Sequence, residues 1–355
     1  MTFFIYSSSA KVGYIEDKYA EIFAKQKRRN EPLHNLGTAY RVLCIRKMIE
    51  KFLNSTNYYD RDDDDDDGCN ENSGQDENDS EHTNNNNNNS NAQFYAKQVV
   101  NLGSGYDTSF FCLNDHSNNT NNNANNIRND TTVKWFDVDF AEVTRRKISI
   151  IEKHKEMFED ALGVYHYERD GSELRSMNGY SLLSADIRDC DELKEILLSA
   201  RFDPLLPTLF ITEVSLSYLP NSICERILSL IALGEDGFRL KNAAIVSYEA
   251  MRLNDEFGRR MCTNVREQRG TPFLSCEGSS VIDCESTEER LRKSGFDHQL
   301  CRKMTDQIHF SLTKEEIFRL ERVEMLDERE EFDLIQSHYS FSVGVKGSYF
   351  KNVYM

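Results

Sequence analysis

Features typical of metal, nucleic-acid and membrane proteins are missing from this sequence. The 9 cysteines contain no Cys-x-x-Cys pair and no histidine at zinc-finger spacing, so no metal site is expected. No stripe of lysine and arginine stands out, although a nucleic-acid-binding protein needs clustered cations to displace phosphate counterions. No apolar stretch is long enough to span a bilayer or to act as a signal sequence. We therefore expect a soluble cytoplasmic or nuclear protein with no nucleic-acid or membrane partner.

The chain has 355 residues and a net charge of −17 that is unevenly distributed. Much of this charge lies in segment 58–93, where runs of Asp and Asn include only one basic residue, Arg61. A second Asn-rich segment covers 114–130. Such tracts cannot bury enough apolar surface to offset the entropy lost on ordering. We predict that both are disordered surface loops and that the rest of the chain is mildly acidic.

Alternating helix and strand patterns fill the rest of the chain. Apolar residues at helical spacing predict two N-terminal helices, over 19–27 and 40–53. Strands are predicted over 98–102, 135–140, 180–186, 207–213 and 243–249, with helices over 143–151 and 222–233. Strands that alternate with helices imply parallel βαβ units in a doubly wound α/β sheet. Ligands of such sheets bind at the carboxyl ends of the strands.

A glycine turn, Gly103-Ser104-Gly105, follows the first of these strands. By itself the turn is weak evidence, because glycine is also the default residue of a tight strand-to-helix connection. The third glycine of the dinucleotide-binding fingerprint is missing, since Thr108 stands at that position. A nicotinamide dinucleotide is therefore disfavoured. The turn suits a smaller ligand, such as the amino-acid end of S-adenosyl-L-methionine.

Carboxylates end the next three strands. Asp139 is placed to accept the hydroxyls of a ribose or, alternatively, to cap the following helix. Asp186 can accept the adenine amino group while Ile187 packs on the ring, and Asp189 is interpreted as a helix cap. Glu213 is either ion-paired or an electrostatic partner for a sulfonium. Ligand-type residues at four successive strand ends together predict S-adenosylmethionine as the cofactor.

These motifs can be compared as blocks with a known family. The glycine loop is Val99-Val100-Asn101-Leu102-Gly103-Ser104-Gly105-Tyr106-Asp107-Thr108 followed by Phe110. The other blocks, in order, are Phe136-Asp137-Val138-Asp139-Phe140, Thr144-Arg145-Arg146-Lys147, Ala185-Asp186-Ile187-Arg188-Asp189, Leu206-Pro207-Thr208-Leu209, Thr212-Glu213, Tyr218, Tyr248-Glu249 and Phe257-Gly258, with Gly13-Tyr14, Asp17 and Tyr40-Arg41-Val42 upstream. Together they resemble the leucine carboxyl methyltransferase family over nearly the whole chain outside the two inserts.

The resemblance implies a fold and a set of cofactor contacts. The fold would be the doubly wound, Rossmann-like α/β fold of class I S-adenosylmethionine-dependent methyltransferases. Segment 1–57 would form an N-terminal helical cap and cofactor lid, 58–93 the insert, and 94–355 the methyltransferase domain. The implied cofactor contacts are Arg41 to the carboxylate, Gly103 to the methionine end, Asp139 to the ribose, Asp186 and Ile187 to the adenine, and Glu213 completing the pocket. From composition alone, Arg41 would be read as a surface helix charge.

One position departs from the family pattern. Members usually carry a second basic residue some seven positions before the Gly-Tyr pair, where this sequence has Tyr6. Lys11 lies nearby, but its spacing is different. The second basic contact to the cofactor carboxylate is therefore not assigned from the sequence.

The resemblance also implies the reaction. It implies formation of a methyl ester on the C-terminal leucine α-carboxylate of a type 2A protein phosphatase catalytic subunit, by an enzyme expected to act as a monomer. A peptide α-carboxyl has a pKa of about 3.3 to 3.7, so the acceptor is already ionised and no general base is expected. Tyr218 and Tyr248 are candidates for the acceptor side, although buried aromatics more often belong to the core. The alternatives are a carboxyl methyltransferase that acts on a modified tRNA base and a non-catalytic module that binds phosphatase tails.

Overall fold

The computed structural model describes residues 2–24, 30–55, 95–114, 132–234, 237–275 and 283–354. Segment 58–93 and residues 115–130 of the second Asn-rich segment lie outside these ranges. Their expected disorder and the division at 57 and 94 stay predictions. Among the described helices, none combines the length and the apolar character needed to cross a membrane.

A mixed sheet of nine strands forms the centre of the described chain. The strands are β1 (Tyr95–Leu102), β2 (Thr132–Asp139), β3 (Tyr165–Glu168), β4 (Glu173–Ser176), β5 (Tyr180–Ser184), β6 (Thr208–Glu213), β7 (Ala243–Ala250), β8 (His298–Lys303) and β9 (Tyr339–Lys346). Their order is β3-β4-β5-β2-β1-β6-β7-β9-β8. The five strands predicted from the sequence are the parallel central ones, β5-β2-β1-β6-β7. The sequence missed the four outer strands, whose pairings are antiparallel.

Helices cover both faces of this sheet, which confirms the doubly wound α/β prediction. They are α1 (Thr2–Val12), α2 (Ala20–Phe23), α3 (Pro32–Asn54), α4 (Ser109–Leu113), α5 (Ala141–Lys153), α6 (Lys155–Leu162), α7 (Cys190–Ser199), α8 (Asn221–Ala232), α9 (Glu256–Arg269), α10 (Cys284–Lys293), α11 (Met304–Ser311), α12 (Lys314–Glu321), α13 (Arg329–Gln336) and α14 (Lys351–Tyr354). One core joins the sheet to α1–α6 and α11–α14, and the other joins it to α7, α8 and α10. Neighbouring strand residues alternate between the cores, with Val99 in the first and Val100 in the second.

The N-terminal helices differ from the prediction in their bounds. Of the helix expected over 19–27, the structure describes a single turn, α2, because the backbone is already extended at Ala24, and residues 25–27 lie outside the described ranges. The helix expected over 40–53 is the later part of α3, which begins at Pro32 in the first-turn position that proline favours. The sequence did not predict α1. The cap assigned to Asp189 is confirmed, since its carboxylate accepts the first amides of α7.

Candidate active site

A cavity of about 360 Å³ opens at the carboxyl ends of β1, β2 and β6. The strand order reverses at β1, which lies between β2 and β6, and ligands of open α/β sheets bind at such a reversal. The volume is typical of small-molecule sites. The cavity is lined by Tyr6, Arg41, Val42, Asn101, Gly103, Ser104, Gly105, Tyr106, Asp107, Asp139, Val143, Glu213, Val214, Ser215 and Tyr218.

The glycine loop requires glycine at its first position. Gly103 has φ +71°, and a Cβ added there would lie 2.7 Å from the Cβ of Ser215. The loop is fixed to the end of β2, because the amide of Gly103 donates to the Val138 carbonyl at 2.9 Å. The hydroxyl of Ser104 also lies in this loop. It is buried and has no hydrogen-bond partner among the described residues, so it can serve a bound ligand.

Asp139 connects β2 with the glycine loop. One carboxylate oxygen accepts the Gly105 amide at 2.7 Å, and the other accepts the Phe140 amide at 2.7 Å. The N-cap of α5 is Phe140, and no side chain caps that helix. Burial raises the pKa of Asp139. The geometry therefore places this carboxylate at the cavity wall and does not make it the N-cap residue of α5.

Arg41 and Glu213 meet across the cavity from α3 and β6. The Nε of Arg41 lies 2.7 Å from Oε1 of Glu213. Arg41 is only 9% exposed, so the interpretation as a surface helix charge is wrong. Its guanidinium lies 5.6 Å from the ring centroid of Tyr248, and Tyr248 in turn stacks on Tyr339 at 4.9 Å. Tyr248 thus lies behind Arg41 and is not among the residues that line the cavity.

Asp107 is a cavity residue to which the sequence assigned no role. Burial, and then the nearby charge of Asp137, raise its pKa to about 7. The ammonium of Lys147 donates to the Asp107 carbonyl at 2.8 Å and to the Asp137 carboxylate at 2.7 Å. Tyr180 and Trp135 also donate to Asp137, at 2.7 and 2.9 Å. Asp137 is consequently satisfied inside the core. Asp107 lines the cavity, and its carboxylate accepts the amide and the hydroxyl of Ser109 at 2.9 and 3.1 Å.

Tyr6 contributes to the cavity wall from α1. Its hydroxyl is hydrogen-bonded to Asp17 and accepts from Arg46 Nη2 at 2.6 Å. Arg46 also pairs with Asp17 at 2.7 Å, and the Thr108 hydroxyl donates to the same carboxylate at 2.6 Å. The position where the resembled family carries a basic residue therefore holds a phenol, and a guanidinium from α3 lies behind it. Lys11 is exposed and does not line the cavity.

Two of the predicted cofactor residues lie apart from the cavity. The Asp186 carboxylate is held by Arg188 at 2.6 Å, which lowers the Asp186 pKa, and Ile187 is buried at 7% exposure. Neither residue lines the cavity. The segment that follows β5 is nevertheless joined to the end of β2, because the Ala185 amide donates to the Asp139 carbonyl at 3.0 Å. Their adenine role stays a prediction. On the opposite side, Tyr218 does line the cavity.

Comparison with known proteins shows which family this chain belongs to. A profile described as leucine carboxyl methyltransferase matches residues 87–232. The leucine carboxyl methyltransferase 1 of Caenorhabditis elegans is 31% identical over 252 residues, which cover 68% of each chain. A leucine carboxyl methyltransferase 1 homolog of Arabidopsis thaliana is 27% identical over 95% of this chain and 85% of its own length. The human tRNA wybutosine-synthesizing protein 4 is 28% identical over 96% of this chain and 42% of its own length.

The doubly wound sheet, its glycine loop and these relatives define a methyltransferase with a Rossmann-like fold. Within that class, the chain belongs to the leucine carboxyl methyltransferase family. The relatives support the family resemblance found in the sequence motifs, including the loop that carries Gly103.

Proposed function

We propose that this protein transfers a methyl group from S-adenosylmethionine to the C-terminal leucine α-carboxylate of a type 2A protein phosphatase catalytic subunit. The observation that carries the proposal is the charge pattern of the cavity in a member of this family. Two carboxylates, Asp139 and Glu213, line it together with one guanidinium, that of Arg41, and Asp107 adds a partial negative charge because its pKa is raised to about 7. The lining is therefore net negative, which complements a ligand with net charge +1.

The lining residues suit the charged groups and the ribose of this cofactor. Arg41 would hold the carboxylate, Glu213 would balance the cationic centres, and Asp139 would accept the ribose hydroxyls. The buried hydroxyl of Ser104 provides a further polar atom for the ligand. When bound, the cofactor supplies a methyl group on a positively charged sulfur. Asp186 and Ile187 remain the proposed adenine contacts, at the neighbouring strand end.

The proposed acceptor needs alignment more than proton transfer. A leucine α-carboxylate is ionised at neutral pH, since its pKa is about 3.3 to 3.7. The protein must then orient the carboxylate and exclude water, and a site of low polarity favours reaction between an anion and a cation because charge disappears. Tyr218 supplies an aromatic wall on this side. We also propose a cytoplasmic location, where free thiols such as those described here stay reduced.

A methyl-transfer assay tests the proposal. Labelled S-adenosylmethionine is incubated with the protein and either an intact phosphatase catalytic subunit or one that lacks the last leucine. We expect label only in the intact subunit, in a form that mild alkali releases as methanol. Equal labelling of the truncated subunit, or an alkali-stable product, would contradict a leucine ester.

A second candidate function follows from one of the relatives. The likeness to the human wybutosine-synthesizing protein favours a tRNA-linked acceptor, but that likeness covers only 42% of the human chain. Label that appears in added tRNA instead of the phosphatase would establish this alternative. A non-catalytic tail-binding module would bind phosphatase but give no S-adenosylmethionine signal in a calorimetric titration.

A further inference from the structure

We infer that Glu249, which does not line the cavity, is a positioning residue. It holds the part of the cavity wall around Tyr218, here called the acceptor wall, that would contact the methyl acceptor. The identity of that acceptor rests on the proposed function. The Glu249 carboxylate holds the one-turn 3-10 helix Leu216–Tyr218, and Tyr218 at the end of that turn lines the cavity. The sequence blocks include Glu249 next to Tyr248 but assign it no role.

The carboxylate of Glu249 accepts three hydrogen bonds from this turn, and the side chain of Thr212 on β6 also interacts with it. Oε1 accepts the Leu216 amide at 3.2 Å, and Oε2 accepts the Ser217 amide at 2.8 Å and the Ser217 hydroxyl at 2.6 Å. The Ser217 hydroxyl itself accepts the Ala250 amide at 3.0 Å. Glu249 is only 7% exposed, so these contacts form in a region of low dielectric, where hydrogen bonds to a charged group are strong.

The turn needs such external support because its entry is strained. Val214 has φ +57°, a left-handed conformation that is unfavourable for a β-branched residue. Its amide donates to the Tyr248 carbonyl at 2.7 Å, and the Ser215 hydroxyl donates to the Leu102 carbonyl at 2.9 Å. Segment 214–217 is therefore fixed at both ends. Carbonyl groups of β7 and β1 hold its start, and the Glu249 carboxylate holds its end.

The same turn orders a second part of the acceptor side. The Ser217 carbonyl accepts the amides of Leu274 and Ser275, at 3.0 and 3.2 Å. The adjacent Phe273 ring lies 5.0 Å from the ring of Tyr218. A displacement of Ser217 consequently moves both the Tyr218 wall and the Phe273 segment. Arg41 and Asp139 lie on other elements, and among the described residues no hydrogen bond or ion pair joins either of them to Glu249.

Glutamine is a poor substitute for Glu249 at this position. The amide side chain offers one acceptor oxygen in place of two, and its NH₂ group would face either the Leu216 amide or the Ser217 amide, both of which can only donate. Burial raises the pKa of Glu249, and the donors of Ser217 and Leu216 oppose that rise. The ionised form is the one whose oxygens accept all three donors.

The test compares three variants of the full chain. Glu249→Gln is expected to raise the KM for the phosphatase catalytic subunit about tenfold while the calorimetric Kd for S-adenosylmethionine changes less than twofold. Ser217→Ala removes one of the three donors and should give a smaller change in the same direction. Glu173→Gln is the matched control, because Glu173 is also a buried carboxylate but lies on β4, which β5 separates from the cavity strand β2. It should lower the Tm and leave KM unchanged.

Hydrogen exchange of residues 214–218 separates positioning from the identity of the acceptor. We expect faster exchange of these amides in Glu249→Gln and not in Glu173→Gln. A folded Glu249→Gln with unchanged KM and exchange would overturn the inference, as would equal changes in KM and cofactor Kd. If Glu249→Gln does not fold, the same readouts in Ser217→Ala decide. A wild-type protein that does not methylate the phosphatase would refute the proposed function alone, and exchange would still decide the role of Glu249.

Discussion

Replacement of Arg41 by alanine removes the only guanidinium among the residues that line the described cavity. Loss of a charge-assisted hydrogen bond to a carboxylate costs about 1.5 to 3 kcal/mol, which corresponds to roughly 10- to 150-fold in Kd. Arg41 already pairs with Glu213 at 2.7 Å, so part of this interaction exists before the cofactor binds. We therefore expect the Kd for S-adenosylmethionine to rise by roughly 10- to 30-fold.

The same change should have a small effect on stability. The side chain of Glu213 is 24% exposed, so water can solvate its carboxylate once Arg41 is removed. We expect a loss of about 1 kcal/mol in the free energy of unfolding and a fall of a few degrees in Tm, measured by scanning calorimetry. The protein should remain folded.

A matched control separates binding from stability. Arg175→Ala removes a half-buried arginine that pairs with Glu168 at 2.8 Å on β3 and β4, beyond β5 from the cavity strands. It should lower Tm by a similar amount and leave the cofactor Kd unchanged. An unchanged calorimetric Kd in Arg41→Ala, or an equal rise in both variants, would refute the assignment of Arg41 to the cofactor carboxylate.

Three further outcomes are expected. Asp139→Ala should raise the cofactor Kd about tenfold by removing a ribose acceptor, and a fall in Tm with intact affinity would support a purely structural role. Asp107 has a folded pKa raised to about 7, so its carboxyl becomes increasingly unfavourable to folding as pH rises from about 4 to 7. The Tm of Asp107→Asn relative to the wild type should therefore increase over that window and level off above it, and a constant difference would contradict the raised pKa. At saturating cofactor, the single-turnover rate should stay flat from about pH 6 to 8, because the acceptor is already ionised; a tenfold rise per pH unit would mean that a general base is needed.

The cluster around Tyr6 shows how a departure from the family pattern is accommodated. A phenol in place of a cation leaves Arg41 as the only basic side chain among the described lining residues. Burial raises the pKa of Tyr6 well above its ordinary value, so the phenol stays neutral. Its hydroxyl lies 2.6 Å from Arg46 Nη2, which joins α1 to α3, and 3.0 Å from the Thr108 hydroxyl, which joins α1 to the glycine loop. The position has thus become a structural connection between the N-terminal helices and the loop.

The sequence by itself determined the features that depend on local pattern. Apolar runs between helical segments predicted the five parallel strands, and the glycine turn with acids at successive strand ends predicted which edge of the sheet carries the site. Both signals are local, because strand burial and turn conformation are encoded in neighbouring residues. The cap at Asp189 was predictable for the same reason.

Only the tertiary structure decided which side chains meet. The Arg41–Glu213 pair, the Arg46–Tyr6 contact and the hold of Glu249 on Ser217 each join separate elements of the fold. The outer strand β8 also went unpredicted, because His298–Lys303 carries no continuous apolar run. Such contacts are set by how helices and strands pack around a common core, and no spacing within one segment encodes them.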